Sequence, residues 1–296
     1  MGVGKSFCII DCGYHFRASF FVLPPMFARD GRLVNAVYGF VSVLLKLVTR
    51  YRPSALAVAG DAPGPYFRHK MFPAYKSEKT RVPEECDRQM PILRQVLNAL
   101  AIPYVSTEGF EADDVMATLS RAAQAEGYRV YLCSRDKDLL QLLSGAVTVL
   151  NITSGEEMTA ETLKERRGIR PEQVPDAIAL AGDKADSIPG VPGIGWKTAA
   201  SLLAVYSTVE NALEHWQDMS SNLGNKIHEH RDQVLLAKRL ATLRTDVPIP
   251  VRPEAYELRL ADRSRLEPLF RELGFERLLE RLERLRDIES QGLWAL

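Results

Sequence analysis

The sequence predicts an α/β protein: a mostly parallel sheet with helices on both faces, followed by a second, largely helical region. Three observations carry that prediction. Short apolar runs of strand length recur at 7–11, 55–60, 103–105, 129–133 and 146–151. Between several of them stand segments with apolar residues at helical spacing, as the crossovers of parallel strands require. Beyond about residue 155 the strand patterns nearly stop and helical patterns run on.

Taken in order, 7–11 reads as a buried strand ending at Asp11, and 34–49 as a helix. The run 55–60 is a second strand, with Asp61 directly after it. Residues 62–83 mix Pro, Gly, aromatic and basic residues without periodicity, which predicts a long functional loop, in part helical. A helix over 84–101 with a kink at Pro91 leads to the third strand. The helix 111–126 has Gly127 at its C-terminal cap position, and strands four and five follow. Helices are expected at 159–167, 171–181, 197–206, 225–243, 264–273 and 275–288. The division falls at 1–168 for the α/β core, with the loop at about 62–83, and 169–296 for the helical region.

Composition bounds the chemistry. The 296 residues include 38 basic and 38 acidic side chains and are 46% hydrophobic, which excludes disordered and fibrous classes. No run approaches the roughly 18 apolar residues of a membrane span. Asp11 interrupts the N-terminal apolar run, so no signal peptide is expected. Cys8, Cys12, Cys86 and Cys133 lie on apolar segments and read as reduced thiols of a cytosolic protein; no second Cys/His pair completes a zinc site with Cys8 and Cys12. The neutral total hides a segregation. Residues 66–81 carry five basic side chains and one acid, whereas 108–114 carry four acids and no base. Such a chain can bind a polyanion through metal and lysine together.

The acids fall where a parallel sheet gathers its ligands. Asp11 and Asp61 end strands one and two. Glu111, Asp113 and Asp114 follow strand three, and Asp136 and Asp138 follow strand four. The loops at the carboxyl ends of parallel strands share one crevice. Any one of these acids alone could be a helix cap. Seven together repel one another and need a compensating cation. With no His or Cys among them, the donor set selects Mg²⁺ or Mn²⁺, and its size suggests two ions. Paired metals are suited to in-line attack of water on a phosphodiester. Downstream, Gly182 and Asp183 lead through Asp186 to a run with Gly190, Gly193 and Gly195, then Lys197 and Thr198. That run is either a plain helix–helix turn or a tight hairpin presenting backbone N–H groups to a phosphate. Two other patterns carry little. Gly2–Ser6 lacks the spacing of a phosphate loop and precedes its strand, and Asn151-Ile-Thr153 is a sequon without secretory context.

These residues carry a resemblance. Ile-Ile-Asp11; Asp61-Ala with Phe67-Arg68-His69; Tyr75-Lys76; Gly109-Phe-Glu111-Ala-Asp113-Asp114; Arg135-Asp136-Lys137-Asp138; and Gly182-Asp183 through Thr198 resemble the 5′→3′ exonuclease domain of bacterial DNA polymerase I and the related flap endonucleases, over about residues 6–275. The resemblance implies a PIN-like nuclease core followed by a DNA-gripping helix–three-turn–helix element at about 178–206. It implies a two-metal set of Asp11, Asp61, Glu111, Asp113, Asp114, Asp136, Asp138, Asp183 and Asp186, with two Mg²⁺ or Mn²⁺ ions, and K⁺ as a candidate ion at the hairpin. Residues near 66–83 would form an arch through which a 5′ end threads. Arg68 and Lys76 would meet the scissile phosphate, and Tyr75 would stack on an unpaired base. Arg17, Lys79, Arg81, Gly190, Gly193, Gly195, Lys197 and Thr198 would contact DNA. Implied substrates are 5′ flaps, single-strand/duplex junctions and RNA–DNA primer ends, handled in the bacterial cytoplasm at the nucleoid, with a separate polymerase as a partner and no membrane.

The chain departs from the family pattern in three places. The spacing from Asp11 to Arg17 is one residue shorter than usual, Lys79 stands where arginine is usual, and Ser187 replaces an asparagine. None of these removes a ligand. Two competing readings are a junction-binding module without cleavage, against which the intact acid set stands, and a phosphatase using Asp11 as nucleophile, against which Gly13 stands in place of a second aspartate.

Overall fold

The sheet is built outward from its first strand. In the computed structural model, which describes residues 5–77, 82–259 and 262–290, six strands lie in the order β3-β2-β1-β4-β5-β6. They are β1 (Ser6–Asp11), β2 (Ala55–Ala59), β3 (Tyr104–Val105), β4 (Arg129–Cys133), β5 (Val147–Asn151) and β6 (Glu156–Met158). The first five pair in parallel, with Phe7 opposite Ala55 on one side and Val130 on the other, and β6 closes the edge antiparallel to β5. Every residue of β2, and all of β1 after Ser6, is buried. That burial on both faces is why these strands read as unbroken apolar runs rather than alternating ones.

Two cores sandwich the sheet. On one face, Phe7, Ile9, Val130 and Leu132 pack with the helix Ala112–Ala125 and with the helical region through Val174–Ala181, Trp196–Tyr206 and Arg231–Ala241. On the other, Cys8, Ile10 and Val58 pack with Cys12–Val22, Asn35–Tyr51 and Met90–Ala99. That second core also receives the last helices, Arg263–Glu272 and Glu276–Ser290, through Leu266, Phe270, Phe275 and Leu278. Arg29–Glu276 (3.0 Å) and Arg32–Glu272 (2.6 Å) bind them to the chain's beginning. The expected 169–296 unit therefore divides: its C-terminal helices return to the far face of the α/β core. Each buried phenylalanine there contributes roughly 1.5–3 kcal/mol.

Other differences are local. Cys12–Val22 is a helix that the periodicity did not announce. The expected 84–101 helix is two, Glu84–Asp87 and Met90–Ala99, with Pro91 in the first turn of the second, where its missing N–H leaves no bond unmade. The 225–243 helix breaks at His230 into Ser221–Glu229 and Arg231–Ala241. Gly127 takes the positive φ (77°) expected of it. Among the described residues, no helix is long and apolar enough to cross a membrane.

Candidate metal and nucleic-acid site

Four strand ends meet at one cleft of about 550 Å³. Asp11, the last residue of β1, also caps Cys12–Val22: its Oδ1 accepts from Tyr14 N (3.0 Å) and its Oδ2 from Ser134 Oγ (2.7 Å). Asp61 follows β2 and accepts from Ala112 N (3.0 Å), with Arg17 3.9 Å away. Asp113 stands in the first turn of Ala112–Ala125, and Asp136 follows β4, where it accepts from Asp138 N (2.9 Å). All four line the cleft, together with Arg17, Lys76 and Asp186. Burial pushes the Asp11 carboxyl up and the charges of Asp61 and Asp136 add to that, opposed by the Tyr14 and Ser134 hydrogen bonds. Asp113 is pushed well above the usual carboxylate range by burial, then by Asp136 and Asp11.

Beside the cleft lies a second cluster. Carboxylate oxygens of Asp138, Asp183 and Asp186 all lie within 4.8 Å of one another. Oδ1 of Asp138 is buried without a hydrogen-bond partner, and burial, then Asp136, raises this carboxyl far above its ordinary range. Lys137 pairs with Asp183 and stands 3.9 Å from Asp138. A short loop holds the pair: Asp183 and Ile188 exchange backbone bonds of 2.8 Å, and Lys76 N donates to Asp186 O (3.0 Å). Clustered carboxylates, one orphaned buried oxygen and no thiol or imidazole lining the cleft form the donor set of a hard divalent cation, so these residues fit Mg²⁺ or Mn²⁺.

Not every predicted site residue faces the cleft. Arg68 is 2% exposed and lies in the short helix Phe67–Met71. Its guanidinium is committed to Asp114 (2.7 and 2.8 Å), Glu111 (2.8 Å) and the carbonyls of Leu240 (2.8 Å) and Thr242 (3.3 Å). This corrects the expectation of a scissile-phosphate contact: Arg68 has no exposed face to offer. Tyr75, 3% exposed, sets its hydroxyl against Glu111 (3.0 Å) and Asp186 (3.1 Å), so the expected base stacking does not fit either. Asp114 is fully buried, with its oxygens taken by Arg68, Glu111 N (3.2 Å) and Arg244 N (2.9 Å). It joins the arginine rather than the cleft, and Glu111, shared among Arg68, Tyr75 and Lys76, does the same. Lys76 does line the cleft, paired with Glu111 and 3.5 Å from Asp186. Burial alone would lower its pKa; Glu111, Asp186 and Asp113 override that and keep it charged. Lys79 and Arg81 lie outside the described residues.

The hairpin is dictated by close backbone approach. A Cβ on Gly190 would stand 2.3 Å from Gly182 N, and Gly182 and Gly193 have φ of 76° and 82°. Val191 N donates to Leu180 O (2.9 Å), and Gln233 Nε2 to Gly190 O (2.8 Å). Gly195 caps Trp196–Tyr206 without a side-chain cap, so Lys197 and Thr198 sit in an open first turn. Two residues of the site escaped sequence reasoning. Ser134, which holds Asp11, left no signal. Lys137 did: a cation between Asp136 and Asp138 had to meet one of the acids.

Comparison with known proteins agrees with this geometry. A family model described as 5′-3′ exonuclease, N-terminal resolvase-like domain, matches residues 6–168, and one described as 5′-3′ exonuclease, C-terminal SAM fold, matches 169–264. DNA polymerase I of Bacillus caldotenax is 40% identical over 294 residues, covering 98% of this chain and 34% of that protein, so the chain spans about a third of the polymerase's length. A 5′-3′ exonuclease of Aquifex aeolicus (strain VF5) is 34% identical over 287 residues, covering 97% of this chain and 98% of that one. Among solved structures, a T5 5′-exonuclease with bound divalent metal ions (zinc) superimposes with a TM-score of 0.68 at 21% identity, covering 96% of this chain and 99% of that one. The catalytic core of Rad2 in complex with DNA substrate reaches 0.63 at 14% identity, covering 95% and 93%. At those identities the likeness is one of fold. With its strand-end carboxylates in one crevice, its glycine hairpin in place and a model matching each half, the chain belongs to the 5′-3′ exonuclease family.

Proposed function

We propose that the chain is a divalent-metal-dependent 5′→3′ exonuclease that also cuts 5′ flaps at single-strand/duplex junctions. The convergence of Asp11, Asp61, Asp113 and Asp136 on one cleft beside Asp138, Asp183 and Asp186 carries this reading. The first group would hold one Mg²⁺ and the second another, with Mn²⁺ as a substitute. Bound there, such ions polarise a phosphodiester and lower the pKa of water. The protein's own part is to place the substrate. Lys76, kept charged and oriented by Glu111 and Asp186, meets the scissile phosphate, and Arg17 stands across the cleft beside Asp61. The hairpin from Gly190 to Gly195, with Lys197 and Thr198, holds a duplex phosphate on open backbone N–H groups, and K⁺ is its candidate ion. In this reading residues 1–168, joined by Asp183 and Asp186, carry hydrolysis and the rest of the region from 169 grips duplex. Flaps and RNA–DNA primer ends in the bacterial cytoplasm are the substrates, with a polymerase supplying them. A bacteriophage T5 flap endonuclease of the same fold (TM-score 0.67) is known in a pseudo-enzyme–product complex with DNA and metal ions, which supports the substrate class.

The test is a 5′-labelled flap DNA incubated with and without Mg²⁺. Metal-dependent release of short 5′-phosphorylated products is expected. Asp113→Asn and Asp136→Asn should each lose cleavage by at least about 10²–10³-fold while junction binding survives. Full cleavage by either variant would sink the assignment.

A further inference from the structure

The cleft opens sideways into a second surface that joins it to the hairpin's second helix. Asp136 lines both the cleft and a groove of about 250 Å³ that runs past Arg135 and Lys137 over the β5–β6 edge. At its far end Arg166 and Arg167, from the last turn of the helix Ala160–Arg167, also line a groove of about 650 Å³ that ends on Trp196 and Lys197. The two arginines thus join the metal cleft to the first turn of the hairpin's second helix. Outside the metal-side Asp136, this route has five cationic side chains and one acid, Glu156. Arg166 pairs with Glu156 and Lys137 with Asp183. Among the described residues Arg135, Arg167 and Lys197 have no carboxylate partner. Arg167 lies over the Trp196 ring, 5.0 Å from its centroid.

We propose that this route is a backbone track for duplex DNA: it carries the phosphates of the strand running between the metal cleft and the hairpin. Guanidinium groups match phosphate oxygens in bidentate fashion, and a stacked arginine is already oriented for it. The half-buried Trp196 has one face covered by Arg167, so the track offers cations rather than an open aromatic platform. That composition suits paired strands, whose accessible groups are phosphates, better than unpaired bases, which need stacking surfaces. The inference rests on the function proposed above and adds which residues position the duplex.

The test is binding of a flap DNA with long duplex arms, by fluorescence anisotropy in metal-free buffer from 50 to 200 mM KCl, with a single strand of the same sequence as second probe. For Arg166→Gln/Arg167→Gln, the duplex Kd should rise about tenfold at low salt. The slope of log K against log salt should shrink by about 1–2, as each lost phosphate contact removes about 0.9. Single-strand binding should weaken by less than about twofold. Both side chains are exposed, so the melting temperature should hold, and Arg166→Lys/Arg167→Lys should restore most of the slope. An unchanged Kd and slope, an equal loss on single strand, or a lysine variant behaving like the glutamine one would each overturn the track. A wild-type protein that neither binds nor cuts the flap sinks the proposed function instead.

Discussion

Lys137 and Lys76 set two ammonium groups against one carboxylate trio, whereas the four acids of the main cleft have Arg17 at the edge of ion-pair range and share Lys76, which is paired with Glu111. The two candidate metal positions thus differ in resident charge, although both draw on aspartates. A divalent ion entering the trio must displace or share with Lys137; one entering the main cleft meets Asp11 and Asp113, whose carboxyls are raised by burial and then by neighbouring carboxylates. Lys137→Met should therefore tighten the weaker class of Mn²⁺ sites by a few-fold to about tenfold in a calorimetric titration, the range of one partly screened ion pair. An unchanged weaker site would show that Lys137 lies clear of the bound ion. Lys76→Ala should act differently. It removes the ammonium that lines the cleft near Asp113, so cleavage at saturating flap DNA should fall by about 10²–10³-fold while flap binding changes little. Cleavage within a few-fold of wild type would remove Lys76 from the chemistry.

At the scale of elements, the short helix Phe67–Met71 is pinned by Arg68 to the start of Ala112–Ala125 through Asp114 and Glu111, and to the end of Arg231–Ala241 through two carbonyls. The clamp joins the base of the cleft-side loop, the helix bearing Asp113 and the helical region. Arg68→Gln leaves Asp114 buried without its partner, and breaking such a pair costs about 3–5 kcal/mol. A melting temperature lower by roughly 6–20 °C is expected from calorimetry. A normal melting temperature with weakened DNA binding would instead restore the phosphate-contact role. This residue also shows where sequence reading ends. The mostly exposed edge strand Glu156–Met158 left no apolar run and went unread; the central strands were legible because burial on both faces leaves unbroken apolar runs, and the acids were legible because strand ends converge by topology. Arg68 was not, because a basic residue in an aromatic loop looks the same whether it faces solvent or a buried aspartate brought from 46 positions away. The helix Cys12–Val22 was hidden for another reason: Phe16 is buried while Phe21 and Val22 at its end are exposed, so no clear apolar stripe marks it.

Over the whole molecule, zero net charge conceals a fold that stores like charges in one place. Asp11, Asp113 and Asp138 all have their carboxyls raised in the folded chain. A raised acid is one that the folded state protonates more readily than the unfolded state does. Such a group destabilises the fold at pH values above its folded pKa, and the penalty fades as pH falls towards the ordinary carboxylate range. In chelator, these three residues should therefore make the protein gain stability as pH drops from 7 towards 5, before the protonation of other, paired acids reverses the trend. Mg²⁺ acts in the opposite sense. It binds the ionised cluster, so at 100 times its dissociation constant it should add about 2.7 kcal/mol per ion at pH 7, and progressively less as protons compete for the same oxygens. Asp113→Asn separates the two effects. It removes one of the crowded charges, so in chelator at pH 7 its melting temperature should exceed that of the wild type by a few degrees. It should also lose much of the Mg²⁺-dependent rise, along with cleavage. A variant that melts lower than wild type in chelator would mean that Asp113 is not crowded, one that keeps the full Mg²⁺ shift would mean that it is not a ligand, and either would break the electrostatic picture of the cleft.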